Sequence, residues 1–449
     1  VFIAAGIWIL SYHLSIGWYV LVGLSPLIHW QIYFNKVGLA WLSSAHAPLV
    51  EVWAIILLIS FAIYLVRNWV QGKKIELYLP GFHLFSLFVL SAVISLTNLL
   101  PGDRGAGIKY IFHFILLFYF GYIMLSSNII KTKKAWHYSL MVLAGVGFLG
   151  AVMGFVSLFL GVWQGGVFRR AVPFAIGGWE PFGDQHIFLA EVITTTLPIF
   201  LYFWYIAKDK INKNIIGYLT LFVATIGFLT LSRAGWLTIF IEALIFLYII
   251  RRSPQLKRVA KEWWPKVLIF LSPFVVYLAY FLLTSSVVQR SNAARWQLTD
   301  ISWFLFKQNP YIGQGVGSFV RRVSEIKLFV LEFGAPIDAH GIVQKLLAEQ
   351  GLLGLLSFSL FIGWIIYSVL QRYYNTRFTK QARLTYFVSL FLILSPLVFQ
   401  LFNTQFYSSK MWVPIALAIT QSILYQRDTN PIGLLINFVR KKKRVVTNI

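Results

Sequence analysis

The chain has 449 residues, of which 58% are hydrophobic and only 12% are charged. So few charged side chains cannot solvate a soluble globule of this length. The long uncharged runs instead predict membrane-spanning helices of about 20 residues, and the short alternating segments of a barrel are absent. There is no cysteine, which excludes disulfides and thiolate metal sites. The sequence therefore predicts an all-α polytopic membrane protein.

Twelve apolar spans follow one another along the chain. The sequence opens directly in apolar residues, so we interpret 1–28 as a mature first helix and not a signal peptide, with a candidate break near 15–17. The predicted spans are 2–28, 49–66, 80–99, 106–126, 137–161, 186–207, 214–231, 233–250, 265–284, 342–371, 384–402 and 410–426. The predicted organisation is nine helices in 1–284, a large loop at 285–341, three helices in 342–426 and a basic tail at 427–449.

The net charge of +24 would suit nucleic-acid binding, but the basic residues do not line one amphipathic face. Most of the 39 lysines and arginines occupy one alternating set of loops, so we expect no nucleic-acid partner. The positive-inside rule predicts that these loops and both termini are cytoplasmic, in a bacterial cytoplasmic (inner) membrane. The basic residues 440–444 would then lie against anionic lipid headgroups.

The loop at 285–341 is the one large soluble segment predicted on the extracytoplasmic (periplasmic) side. It contains an amphipathic stretch around 296–306, a turn at 309–310, glycines at 313, 315 and 317, and a second amphipathic stretch around 318–333. Loops longer than about 15 residues are usually functional or disordered. Because this loop is rich in apolar and aromatic residues, we expect it to fold against the membrane.

Two arginines on the predicted outer side need an explanation, because a charge held at the membrane is costly. Arg233 lies in a tight turn between two apolar runs and has no carboxylate nearby in sequence. A guanidinium is a natural bidentate partner of phosphate, although an interfacial anchor would explain Arg233 equally well. Arg295 precedes the first amphipathic stretch between Arg290 and Asp300, where a solvated charge at a helix end is the alternative.

His340 lies where the large loop re-enters the membrane, and Gln344 shares its face one turn later. A histidine there can act as a general base near neutral pH, whereas a lone interfacial histidine is more often structural. Glu242 lies inside a span, where it would either relay protons or pair with a neighbouring helix. Outer carboxylates are scattered, so no magnesium site is predicted.

Three short motifs in this region, taken in order, resemble the O-antigen ligase and polymerase superfamily. Residues 340–354 resemble its signature of a His, a small polar residue, a nine-residue gap and Gly-x-x-Gly, although Gly341 stands where family ligases usually have Asn, Ser or Gln. The run from Arg295 to 310–315 looks like the family pattern of Arg, helix and Pro-x-x-Gly-x-Gly. Residues 232–236, Ser-Arg-Ala-Gly-Trp, are similar to its other arginine motif.

This resemblance implies transfer of a glycan from an undecaprenyl-diphosphate carrier to an acceptor hydroxyl, outside the cytoplasm and without cofactor or metal. Arg233 and Arg295 would bind the diphosphate and His340 would act as the catalytic base, in an inverting reaction. Candidate supporting residues are Arg290, Gln344, Arg169, Arg170 and His186. Partners would be the lipid-linked donor, a glycan, lipid or protein acceptor, and membrane lipids. A polymerase that extends lipid-linked repeats fits the same motifs, and a transporter is the alternative from another class.

Overall fold

A computed structural model gives the fold. It describes residues 2–33, 46–160, 170–250, 286–374, 380–404, 406–424 and 434–438, with isolated positions at 265, 272, 276 and 280. Most of the predicted ninth span and of the basic tail lie outside the described residues.

The described part of the chain is mainly helical. In chain order its helices are α1 (Phe2–Leu10), α2 (Leu14–Leu24), α3 (Leu49–Val70), α4 (Phe82–Ser95), α5 (Arg104–Phe112), which continues through a wider π-helical segment (His113–Met124) into α6 (Leu125–Ile129), α7 (Lys133–Leu160), α8 (His186–Ile206), α9 (Lys210–Leu229), α10 (Arg233–Ile250), α11 (Ser286–Gln308), α12 (Phe319–Ser324), α13 (Lys327–Phe333), α14 (Ile342–Tyr374), α15 (Lys380–Gln400) and α16 (Ser409–Leu424).

Among the residues that the structure describes, six helices are long and apolar enough to cross a membrane, and the bent pair α1–α2 adds a seventh crossing if it counts as one span. Helices also lie at the other predicted span positions that the structure describes, but α4 and α15 are shorter apolar segments. The predicted multi-pass, all-α membrane class is confirmed. The count of twelve spans is not confirmed, because helical character at a position does not by itself provide a crossing length.

The first predicted span is bent. α1 and α2 meet at 106° across residues 11–13, ahead of the break expected near 15–17. The Arg67 guanidinium donates hydrogen bonds to the hydroxyl and the backbone oxygen of Ser11, at 3.2 and 3.3 Å, and lies 3.7 Å over the Tyr12 ring. These contacts satisfy polar groups that a helix break would leave exposed to lipid.

Two short antiparallel sheets accompany the helices. β1 (Gln31–Tyr33) pairs with β2 (His46–Pro48), and β3 (Ile75–Leu79) pairs with β4 (Leu434–Phe438). The second sheet joins the segment after α3 to the predicted basic tail, with Ile75 opposite Phe438. Two loops that the charge pattern predicts on one side of the membrane are therefore in contact.

The core is aromatic and lies where α4, α14 and α16 meet the π-helical segment. Trp412 of α16 stacks on Phe118 with ring centroids 5.4 Å apart, and Phe358 of α14 packs edge-on against Phe88 of α4 at 5.3 Å. Such ring pairs add roughly 0.5–1.5 kcal/mol each beyond area burial. This packing holds the part of α14 that follows Gly351, and α14 itself begins directly after the segment that carries His340.

The outer loop docks onto α14 at a break in that helix. Gly351 has a φ of 62° and a ψ of −157°, which interrupts the helical hydrogen-bond ladder. The freed groups pair with the outer loop: the Gly315 amide donates to the Glu349 carbonyl, and the Leu352 amide donates to the Pro310 carbonyl, both at 2.9 Å. The Pro-x-x-Gly-x-Gly and Gly-x-x-Gly patterns of the sequence therefore meet in one junction.

Backbone contact at this junction requires glycine. Gly313 has a φ of +67°, and a Cβ there would lie 2.4 Å from the backbone nitrogen of Gln350. A Cβ on Gly351 would lie 2.5 Å from the carbonyl carbon of Tyr311. Only a residue without a side chain combines a left-handed φ with such close approach.

Candidate active site

Arg233 begins α10 immediately after the turn that ends α9. In that turn Leu231 has a φ of +54°, which is uncommon outside glycine. The Ser232 hydroxyl caps the new helix by accepting a hydrogen bond from the Gly235 amide at 3.2 Å. A Cβ on Gly235 would lie 3.2 Å from the Cβ of Ala190, so this glycine lets α10 pack closely on α8. The turn thus presents Arg233 at the end of the helix.

Arg233 and Arg295, the two residues predicted to bind diphosphate, are brought together. The Arg233 guanidinium donates a hydrogen bond to the side-chain oxygen of Asn292 on α11. Arg295 follows on the same helix and interacts electrostatically with Arg233. Burial, together with the positive charge of Arg233, lowers the pKa of Arg295 to about 10. Arg295 therefore still carries its charge at neutral pH.

Gln344 connects this pair to the start of α14. Its side-chain nitrogen donates a hydrogen bond to the Thr299 hydroxyl at 2.8 Å, and that hydroxyl donates to the Arg295 carbonyl at 2.9 Å. The side-chain oxygen of Gln344 and the Nε of Arg295 are buried without a hydrogen-bond partner. Both atoms are therefore available to a bound group.

His340 lies in the irregular segment 334–341 directly before α14. Burial, reinforced by the positive charges of Arg295 and Arg233 and opposed by Asp338, lowers the pKa of His340 to about 4. The imidazole is consequently neutral at physiological pH and can accept a proton. His340 therefore lies within electrostatic range of both arginines.

Arg170 and His186 join the same cluster. The Ala171 amide donates to the Leu229 carbonyl at 2.8 Å, which fixes the Arg170 segment against the turn before α10. The Arg170 guanidinium lies 3.5 Å from Nε2 of His186, the first residue of α8. His186 also interacts electrostatically with Arg295 and Arg233, as well as with Arg170.

Arg290 is not part of the cluster. It is exposed and donates a hydrogen bond to the backbone oxygen of Glu332 at 2.8 Å, which ties α11 to α13. Five positions along a helix turn a side chain well away from Arg295, so Arg290 faces another surface. Arg169 lies outside the described residues.

The cluster carries positive charge without acidic compensation. Within the described ranges, no ion pair joins Arg170, Arg233 or Arg295 to a carboxylate, and the Nε atoms of Arg170 and Arg295 are buried and unpartnered. Buried charges without a partner are costly, and an anion with several charges would offset that cost. Among these same residues, no group of three or more His, Asp or Glu side chains could hold a metal ion.

Asn292 was not predicted from the sequence, although it is the hydrogen-bond partner of Arg233. It precedes Arg295 by three positions, a spacing that places two side chains on one helix face. That spacing is a sequence signal that Asn292 lies beside Arg295. No sequence signal indicates the hydrogen bond between Asn292 and Arg233, because the two residues lie 59 positions apart.

Comparison with known proteins bears on the same part of the chain. Residues 218–359 match the family model for O-antigen ligase, and this range includes Arg233, Arg295 and His340. No curated protein matched the chain. The matched family takes part in polysaccharide and lipopolysaccharide biosynthesis and uses lipid-linked glycans. The chain is thus a multi-pass membrane protein whose residues 218–359 match the O-antigen ligase family model.

Proposed function

We propose that this protein is a glycosyltransferase that moves a glycan from an undecaprenyl-diphosphate carrier to an acceptor hydroxyl, on the outer face of the cytoplasmic membrane. The observation that carries the proposal is the position of the Arg233 and Arg295 charges beside the neutral imidazole of His340. Arg170 and His186 lie close to the same two arginines. Such a site needs an anion with several charges and offers it a base. A lipid diphosphate supplies the charge, and an acceptor hydroxyl supplies the proton.

Arg233 and Arg295 bind the diphosphate of the donor in this mechanism. Guanidinium groups grip phosphate oxygens bidentately, and their fixed charge stabilises the negative charge that develops on the leaving group. The unpartnered Nε of Arg295 is one donor that the site leaves free for this purpose. Arg170 and His186 extend the same anion-binding surface on the side of α8.

His340 accepts the proton of the acceptor hydroxyl as its oxygen attacks the anomeric carbon. The bond from that carbon to the phosphate oxygen breaks, a new glycosidic bond forms, and undecaprenyl diphosphate leaves with the bonding electron pair. One displacement of this kind inverts the anomeric configuration. Neither a metal nor a nucleotide sugar takes part in the proposed reaction.

Donor binding also prepares the base. The arginines help to hold the pKa of His340 near 4, which makes the free imidazole a weak base. A bound diphosphate would neutralise their charge and raise the pKa of His340 towards its ordinary value. Proton abstraction is therefore favoured only when the donor is in place.

Reconstitution of the purified protein in proteoliposomes tests the proposal. The donor is an undecaprenyl-diphosphate-linked oligosaccharide, and the acceptors are lipid A–core, the same lipid-linked repeat, and a protein with exposed hydroxyl side chains. Wild type should release undecaprenyl diphosphate with formation of one glycosylated acceptor. Transfer to the lipid-linked repeat alone would assign a polymerase, and transfer to another acceptor would assign a ligase.

The His340→Ala variant should lower the rate by about 100-fold or more, the usual contribution of a positioned base. His83→Ala is the matched control, because His83 is exposed on α4 and not in the cluster. Normal transfer by a folded His340→Ala variant would remove the base assignment. Absence of transfer to every acceptor, with glycan-independent solute flux instead, would favour a transporter.

A further inference from the structure

His340 has little regular structure to hold it. Residues 334–341 form neither helix nor strand, and α14 begins only at Ile342. A general base must nevertheless lie within hydrogen-bond reach of its substrate, and a shift of 1 Å can cost about 100-fold in rate. Some other group therefore has to fix this segment.

Asp338, two positions before His340, carries the contacts that fix the segment. One carboxylate oxygen accepts a hydrogen bond from the Ala339 amide at 2.9 Å. The other accepts from the Lys345 ammonium at 2.5 Å and from the Tyr407 hydroxyl at 3.0 Å. A carboxylate with three donors, two of them outside its own segment, has little freedom to move.

The ion pair closes a short loop around His340. Asp338 precedes the histidine, and Lys345 follows it on the second turn of α14, where the Lys345 amide donates to the Gly341 carbonyl at 3.0 Å. Both ends of the segment that carries His340 are thus tied to one residue, Asp338 to the Lys345 ammonium and Gly341 to the Lys345 backbone amide. Tyr407 connects this loop to the segment before α16.

The ammonium end of the pair is buried, whereas the Asp338 side chain is partly exposed. The Lys345 side chain is 1% exposed, and its ammonium lies 5.2 Å over the Tyr407 ring and 5.4 Å over the Tyr110 ring. Glu349 provides a second carboxylate at 3.6 Å. A buried ammonium left with one distant carboxylate would be strongly destabilised, which keeps Asp338 in place.

The same network continues to the glycine junction. The Glu349 side chain accepts a hydrogen bond from the Phe319 amide at 3.1 Å, and the Glu349 carbonyl accepts from the Gly315 amide at 2.9 Å. One buried face of α14 therefore contacts both the His340 segment and the outer loop that carries Arg295. A displacement of either would disturb the distance between base and leaving group.

We propose that Asp338, Lys345 and Tyr407 are positioning residues that form a clamp holding His340 at the distance required for proton abstraction. This inference rests on the proposed function of His340. None of the three touches the reacting atoms in the proposed mechanism. They act through the histidine, so their loss should reduce the rate of the chemical step more than the affinity for the donor.

The test uses the full chain in proteoliposomes and separates kcat from KM for the lipid-linked donor. Asp338→Asn and Lys345→Gln should each lower kcat by about 10- to 100-fold, with KM within about threefold of wild type because Arg233 and Arg295 remain in place. The double variant Asp338→Asn with Lys345→Gln should be no slower than the slower single variant, as expected for residues that act as a unit.

Tyr407→Phe provides a milder variant in case the charge substitutions impair folding. It removes one hydrogen bond from Asp338 and should lower kcat by about three- to tenfold, as for a net hydrogen bond of roughly 1 kcal/mol. Asp103→Asn is the matched control, because Asp103 forms an ion pair of 2.8 Å with Arg321 that does not enclose His340. Its kcat should stay within about twofold of wild type.

The clamp would be overturned by wild-type kcat in folded Asp338→Asn and Tyr407→Phe variants, or by an equal loss of kcat in Asp103→Asn. A rise in KM with unchanged kcat would do the same, because it assigns the three residues to binding. Failure of the base assignment is recognised separately, by full activity of His340→Ala. If that variant is inactive while the Asp338→Asn and Tyr407→Phe variants are not, the clamp alone fails.

Discussion

Arg233 donates a hydrogen bond to the neutral amide of Asn292, and it forms no ion pair with a carboxylate among the described residues. A carboxylate at this position would neutralise the guanidinium and compete with a phosphate. The Asn292 amide fixes the orientation of the Arg233 side chain and does not neutralise its charge. This hydrogen bond is compatible with the proposed diphosphate-binding role of Arg233, which an internal ion pair would oppose.

Substitution of Asn292 tests that distinction. Asn292→Asp should raise KM for the lipid-linked donor by about tenfold or more, because the donor must displace an internal ion pair worth more than a neutral hydrogen bond. Asn292→Ala removes only the hydrogen bond, so its KM should rise less, by about two- to fivefold. Equal effects of the two variants would show that the charge at Arg233 is not used for binding.

The pH dependence of kcat/KM should report on His340. Burial and the arginines hold its pKa near 4, so kcat/KM should fall only as the pH drops through about 4, where the imidazole gains the proton that stops it acting as a base. Arg295→Gln removes one positive charge and should move this fall to higher pH. Arg295→Lys keeps the charge and should leave the fall in place while KM rises, since lysine cannot bind phosphate bidentately. A fall at the same pH in both variants would contradict the electrostatic coupling.

Gly315 should be intolerant of a side chain. Its φ is +105°, and a Cβ would lie 2.4 Å from the Leu99 side chain, so Gly315→Ala combines backbone strain of roughly 1–2 kcal/mol with a steric clash. Gly334 is the matched control, with a φ of +95° and nothing within 4 Å of an added Cβ. Thermal unfolding in detergent should show a clearly larger loss of Tm for Gly315→Ala. Equal losses would mean that the junction is loosely packed.

Cysteine labelling can test the orientation predicted from the basic loops. The chain has no native cysteine, so a single introduced thiol gives a clean signal. Ser324→Cys on the exposed side of α12 should react with a membrane-impermeant maleimide added to intact spheroplasts. Lys210→Cys, at the exposed start of α9, should react only after permeabilisation. The reverse pattern would invert the proposed topology.

Local features of the fold could be predicted well from the sequence. α10 has the predicted bounds of 233–250, and α8 and α14 begin at the predicted residues, because apolar run length and flanking polar residues define a membrane helix locally. The pairing of β3 with β4 was not predictable. A five-residue strand carries little periodicity, and its partner lies at the other end of the chain.

Part of the candidate site was also visible in the sequence. Arg233, Arg295 and His340 were found from residue type and motif order, and all three lie in one cluster. Asp338, beside His340, could have been noticed as a neighbouring charge. Tyr407 could not, because it lies 69 positions away from Asp338 and carries no motif of its own.

The sequence by itself determined the membrane class, the helix positions and three residues of the site, since these follow from hydropathy and local order along the chain. Only the tertiary structure decided which charges are compensated: Lys345 is paired with two carboxylates, whereas Arg233 and Arg295 face none in the described residues. Electrostatic and hydrogen-bond partners are chosen by distance in space. Helix packing brings together side chains that spacing along the chain does not relate.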